Sequence, residues 1–186
     1  MTARKLDKIS IEKIYENHLV FDFPKDEVKP LATIIKGFDK GVYNAYGLYD
    51  GDQLLAYAFF IIDKKCRLLD YFAVVRGKRG GGIGSRFLNM LKAELKPVCE
   101  IVIIESENPD TAQNESQKIT RRRRIDFYLK NGLIDTQRRA KVFGVEYKIL
   151  SLPLSHTAKF SPQIYLSIYK NLLTKELFEE NVSVLG

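Results

Sequence analysis

Val74-Val75-Arg76-Gly77-Lys78-Arg79-Gly80-Gly81-Gly82-Ile83-Gly84-Ser85 joins an apolar segment to an amphipathic one. The segment before it, Cys66 to Val75, carries Leu-Leu-Asp-Tyr-Phe-Ala-Val-Val and is nearly all apolar. Such a run reads as a central strand buried on both faces. The segment after it, from about Gly84 to Leu95, sets Phe87, Leu88 and Leu91 on one side of a helix that Pro97 ends. Glycines let backbone amides approach a ligand closely, and a helix N-terminus adds partial positive charge. A strand-to-helix turn of this kind, with cations beside it, suits a pyrophosphate. Ile83 interrupts the glycines where it can anchor the helix to the sheet. A Walker loop is excluded, because Gly84-Ser85-Arg86 stands where Gly-Lys-Ser or Gly-Lys-Thr is required. A Rossmann fingerprint is excluded as well, because the preceding strands form hairpins instead of βαβ repeats.

Downstream, Glu100 to Glu105 reads as a second central strand, so strand, helix and strand make a parallel βαβ unit. Upstream, Tyr43–Tyr49 and Leu54–Ile62 flank Asp50-Gly51, a hairpin signal, and Asp63-Lys64-Lys65 makes the next turn. Two helices precede them. Ser10 can cap one through about Leu19, and a second starts near Asp26 and stops at Gly37. Beyond the second central strand, Glu107 to Glu115 is polar and loop-like. A helix from about Glu115 to Asn131 then ends at Gly132, the left-handed cap position. Leu133–Lys141 and Val145–Leu150 form a hairpin turning at Phe143-Gly144. Ser161-Pro162 opens a last helix, about 162–174, with Ile164, Tyr165, Ile168, Tyr169, Leu172 and Leu173 on one face. There is no internal repeat or linker, so the expectation is one α/β domain over 1–186.

Apolar residues make up 45% and charged residues 28% of the chain, a globular composition. The net charge of +7 could serve nucleic acid, an anionic cofactor or an acidic substrate. Two cysteines, Cys66 and Cys99, in apolar surroundings read as buried thiols in a reducing compartment. With two histidines, His18 and His156, no metal site is expected. No run is apolar for 18 residues, and no apolar segment follows the basic N-terminus, so a soluble cytoplasmic protein is expected.

Arg79-Gly80-Gly81-Gly82-Ile83-Gly84 resembles the Arg/Gln-x-x-Gly-x-Gly/Ala signature of the GNAT superfamily of acyl-CoA-dependent N-acetyltransferases. Phe127-Tyr128-Leu129-Lys130-Asn131-Gly132-Leu133 is similar to its second signature, aromatic-Tyr-x-x-x-Gly-Phe. The two lie in the expected order with one strand between them, and the resemblance covers about 43–150. It implies a mixed, mostly antiparallel central sheet flanked by helices, with Cys66–Val75 and Glu100–Glu105 as a splayed parallel pair. It implies acetyl-CoA as cosubstrate and no metal. Backbone groups near Val74 would bond the pantetheine arm. Arg79 and the amides of Gly80, Gly81, Gly82, Ile83, Gly84 and Ser85 would hold the pyrophosphate. The acceptor amine would attack the thioester directly, and Tyr128 would protonate the departing thiolate. The sequence departs from the pattern at Arg121, where many members have asparagine, and at Arg124, where a small residue is common.

An acceptor amine must lose a proton before it attacks. Glu105, ending the second central strand, and Asp70, within the first, are the acidic candidates; a buried unpaired carboxylate gains basicity. Either could equally be structural, Asp70 as a hydrogen-bond partner and Glu105 as a solvated strand end. Arg121-Arg122-Arg123-Arg124 spreads around its helix and reads as a solvated face paired with Glu107, Asp110 and Glu115. The expected activity is acetylation of a small-molecule primary amine, with no membrane partner and a homodimer left open. The alternatives are acetylation of a macromolecule, either a protein amine or aminoacyl-tRNA, and a non-catalytic acyl-CoA sensor. The charge favours RNA slightly, but nucleic acid is not the favoured partner.

Overall fold

The computed structural model describes residues 1–25 and 27–185. Its eight strands form a mixed sheet in which β4 and β5 are parallel and the other neighbours antiparallel, as expected. The chain divides into two compact units, 1–62 with 69–97, and 63–68 with 98–186.

In the first unit, β1 (Thr2–Lys5), β2 (Tyr43–Asp50), β3 (Gln53–Asp63) and β4 (Cys66–Val74) follow one another in sheet order. Tyr43 pairs with Ile61 and Asp50 with Gln53, which closes the Asp50-Gly51 hairpin. β1 pairs antiparallel with the far edge of β2, Thr2 opposite Tyr49. The first helix, α1 (Lys8–Ile14), begins earlier than the serine signal suggests. Its cap is Asp7, whose Oδ1 accepts from the Ser10 amide at 2.8 Å. It runs through a π-helical stretch, Tyr15–Leu19, into the short α2 (Val20–Asp22). The expected helix start at Asp26 lies outside the described residues. The observed α3 (Leu31–Asp39) starts after Pro30, whose fixed φ suits that place, and continues past Gly37. α4 (Ile83–Leu95) buries Phe87, Leu88, Leu91 and Leu95. Phe87 stacks on Phe72 of β4 with centroids 5.7 Å apart, which ties the helix to the strand that precedes its loop.

In the second unit, the opening of β4 at Cys66–Leu68 is followed in sheet order by β5 (Ile101–Glu107), β7 (Val145–Pro153), β6 (Ile134–Val142) and β8 (Val182–Leu185). Ile101 pairs with Pro153 and Glu107 with Tyr147 across β5 and β7. A register shift between Asp135 and Arg138 breaks the β6–β7 pairing, with Gln137 at φ 59°. α5 (Glu115–Lys130) is capped by Asn114, α6 (Pro162–Leu172) by Ser161 and α7 (Lys175–Asn181) by Thr174. Gly132 follows α5 at φ 84°, the left-handed cap the sequence predicts. Ile103, Ile104, Ile149 and Leu150 from the strands, with Tyr165 and Ile168 from α6, are buried in this unit. Cys66 and Cys99 are buried and free, and burial pushes the Cys66 thiol up to about 12.

Candidate functional site

In the first unit, β4 delivers the chain into the glycine loop, and Val75 N bonds Leu55 O at 2.9 Å to close the sheet there. The loop needs glycine: Gly77, Gly80 and Gly82 lie at φ 79°, 93° and 71°, a region L-residues rarely enter. A Cβ built on Gly80, Gly81 or Gly82 would meet nothing within 4 Å, so the space above these residues is open. Gly82 sits at the N-cap of α4 without a side-chain cap, leaving the first amides of the helix to seek another acceptor. An anion is the natural partner for such amides. The residues present therefore fit a pyrophosphate at this loop.

Arg79 belongs to a second cluster. Its Nη2 lies 3.2 Å from Asp22 Oδ1 and its Nε donates to Val74 O at 3.2 Å. Arg76 joins the same carboxylate through Nε at 3.3 Å and also donates to Phe21 O. Tyr57 Oη donates to Asp22 Oδ2 at 2.9 Å. The Asp22 side chain is 2% exposed, so this carboxylate is one of the most enclosed charges in the unit. Burial, followed by the Asp22 charge, raises the Tyr57 phenol far above its ordinary value. The sequence expectation for Arg79 was phosphate; here its guanidinium is turned toward Asp22.

Asp70 is paired on both oxygens. Oδ1 takes Lys29 Nζ at 2.5 Å, and Oδ2 accepts from Tyr43 Oη. Lys29 also lies 5.4 Å over the Tyr71 ring, and Tyr71 Oη accepts from the Lys29 amide at 2.9 Å. Burial and the Asp70 charge hold the Tyr43 phenol well above its usual range. Both carboxylate oxygens of Asp70 are thus engaged by side chains of the first unit.

In the second unit, Glu105 lies near the end of β5, and its Oε1 accepts from Tyr165 Oη at 2.5 Å and from Tyr169 Oη at 2.6 Å. Tyr128 occupies the last turn of α5 and is 6% exposed. Leu133 N donates to its carbonyl at 3.2 Å, so the helix cap fixes its backbone. Burial pushes its phenol up to about 12, and the nearby Arg124 charge opposes that rise. Two of the four consecutive arginines pair with Glu107. Arg121 Nη2 meets Glu107 Oε1 at 2.5 Å and Arg124 Nη1 meets Oε2 at 3.3 Å. Arg121 also donates to Asn108 O at 2.9 Å and to Thr111 Oγ1 at 3.1 Å, pinning the loop before α5. Arg122 and Arg123 are exposed.

No family model matches the chain, and no curated protein does. Solved structures do. A Bacteroides thetaiotaomicron protein described as an acetyltransferase of the GNAT family superposes with a TM-score of 0.70 at 20% identity, over 96% of this chain and 99% of that one. The chain has the GNAT fold. An aminoglycoside 6'-N-acetyltransferase complexed with coenzyme A superposes on this GNAT fold with a TM-score of 0.66 at 15% identity, over 86% of this chain and all of that one, 100%. The Escherichia coli ribosomal-protein-S18-alanine N-acetyltransferase does so at 0.58 and 18%, over 86% and 99%.

Within the GNAT fold, Asp70, Val74 and the loop 79–85 belong to the first unit, and Glu105 and Tyr128 to the second. Sequence reasoning missed Asp22, Tyr165 and Tyr169. Asp22 carries no periodic or motif signal, since its partners Tyr57, Arg76 and Arg79 lie 35, 54 and 57 residues away. Tyr165 and Tyr169 were visible as one helix face, but their contact with a carboxylate was not.

Proposed function

We propose that the chain is an acetyl-CoA-dependent N-acetyltransferase acting on a primary amine. The observation that carries this reading is the open glycine cradle at the uncapped start of α4, directly after β4, in a chain with the GNAT fold. Amides from Gly80 to Ser85 bind the pyrophosphate, and Val74 supports the pantetheine arm. Acetyl-CoA supplies the activated acyl group as a thioester. The amine nitrogen attacks the thioester carbon as the carbon–sulfur bond breaks. Tyr128 Oη gives its proton to the sulfur that leaves, and the proton shed by the new amide nitrogen restores the phenol. Glu105 serves the acceptor side, and Asp70, fully paired with Lys29 and Tyr43, serves the frame.

A small amine is the favoured acceptor, because the solved neighbours include enzymes named for an aminoglycoside and for spermidine. A neighbour named for a ribosomal-protein alanine, together with the exposed Arg122 and Arg123, keeps a macromolecular amine as the second reading. The test is thermal: acetyl-CoA and free CoA should each raise the melting temperature, since a ligand of the folded state alone stabilises it. A screen of amines with acetyl-CoA, reading released thiol, then names the acceptor. No melting shift with either ligand would refute the cofactor assignment. Binding without transfer to any amine would favour the sensor.

A further inference from the structure

The second unit holds a cavity of about 520 Å³ at the opening of β4 and β5 and the start of α6. That volume falls within the roughly 300–1,000 Å³ of small-molecule sites. Its apolar wall is Cys66 and Ile101 from the strands and Ile164 from α6. Its polar wall is unevenly matched. The two carboxylates on it are already engaged. Asp63, 8% exposed, accepts from Asn171 Nδ2 at 2.9 Å and from Ser167 Oγ. Glu100 takes Lys65 Nζ at 2.7 Å. The remaining donors are not engaged. Lys64 and Lys159 have no carboxylate partner among the described residues. In the first turn of α6, Ser161 Oγ accepts from Ile164 N at 3.3 Å and Pro162 has no N–H, so Gln163 N is left without an acceptor among the described residues. A wall with surplus donors and a helix start calls for an anion. The Lys64 side is also pre-set. Lys64 sits at φ 52°, and buried Arg67 donates from Nη1 to Lys64 O and Cys66 O, each at 2.9 Å. A turn locked in this way loses little freedom on binding.

We propose that this cavity binds a small organic anion. A carboxylate or phosphate head lies between Lys64, Lys159 and the start of α6, and an apolar body rests on Ile101 and Ile164. None of the lining residues belongs to the glycine loop, which is part of the first unit, so the site stands apart from the transferase reading.

The test follows the isoleucine methyl signals of the full chain by NMR, with Ile101→Val and Ile164→Val to assign them. Phenyl phosphate and benzoate are the anionic probes and benzyl alcohol the neutral one, in salt of about 0.15 M to screen loose surface pairing. Phenyl phosphate or benzoate should move both methyl signals at millimolar concentration, and the tighter of the two names the head group. Benzyl alcohol, similar in size to benzoate and uncharged, should leave them in place. Lys159→Gln and Lys64→Gly alter exposed side chains, and glycine accepts the left-handed turn, so both variants should fold. Each should weaken the anion about 2- to 5-fold, and the pair more. Saturating CoA should leave the response intact. Methyls unmoved by either anion overturn the proposal. So does an equal response to benzyl alcohol, which would make the cavity merely apolar, and so does unchanged affinity in both lysine variants. A response that CoA abolishes overturns it too, because the anion would then be competing at the cofactor's own site.

Discussion

Tyr128 and Asp22 are both enclosed side chains with reach beyond their own elements. The Tyr128 phenol, pushed up to about 12 by burial, remains protonated across any practical assay range. In the proposed role it is the proton donor to sulfur, and because a phenol raised this far is a weaker acid than a thiol, the transfer depends on the new amide nitrogen's proton restoring the phenol. Tyr128→Phe keeps the ring and should lower kcat by about 10- to 1000-fold with CoA affinity little changed, read from steady-state kinetics beside a CoA titration. Unchanged kcat under rate-limiting chemistry would make Tyr128 a packing residue. Asp22→Asn removes the charge that gathers Arg76, Arg79 and Tyr57. Expected are a stability loss of about 1–3 kcal/mol in urea and weaker CoA binding, because Arg79 loses its holder. Full retention of both would mean that this carboxylate neither stabilises the unit nor orders the loop.

At the scale of elements, the glycine loop and the loop before α5 make separate claims. Gly82 sits at φ 71° in open space, so a side chain there meets backbone strain and no clash. Gly82→Asp should cost about 1–2 kcal/mol from the left-handed conformation yet still fold. The wild-type chain should gain about 2.7 kcal/mol of stability at CoA one hundred times its Kd. In the variant that gain should vanish, because a carboxylate occupies the anion's place; a preserved melting shift would refute the loop assignment. Arg121 and Glu107 are 14% and 18% exposed, an enclosed pair whose rupture leaves the carboxylate with the longer contact to Arg124. Arg121→Ala should cost about 1–3 kcal/mol and speed hydrogen exchange at the Thr111 and Ala112 amides, which close the turn it pins. Affinity for tRNA should change little, since the exposed Arg122 and Arg123 would carry any salt-sensitive contact.

Over the whole molecule, buried phenols give a common response to alkali. Tyr43, Tyr57, Tyr71, Tyr128 and Tyr165 are all raised above the ordinary tyrosine value, burial being the leading cause in each. Below about pH 10 these phenols are neutral folded or unfolded, and they leave stability untouched. Above it the unfolded chain sheds protons that the folded chain retains, so stability must fall as pH rises from about 10 through 12. Denaturant midpoints measured across that window should drop steeply, and Tyr71→Phe should soften the slope. A flat profile would place these hydroxyls in solvent. Much of the fold was legible from local chemistry. The glycine run between an apolar strand and an amphipathic helix, the Asp50-Gly51 hairpin and the Gly132 cap each follow from rules acting within a few residues. β1, α7 and β8 were not legible. Thr2–Lys5 is half cationic, and both edge strands acquire strand character from the partners they pair with, β2 and β6. The candidate site divides the same way. The glycine loop and Tyr128 are written in short motifs, because a backbone turn and a helix end depend on neighbours in sequence. The Asp22 cluster and the contact of Glu105 with Tyr165 and Tyr169 join residues 35 to 64 positions apart. Packing alone brings such side chains together, since hydrophobic periodicity says which face is buried and nothing of which distant side chain will meet it.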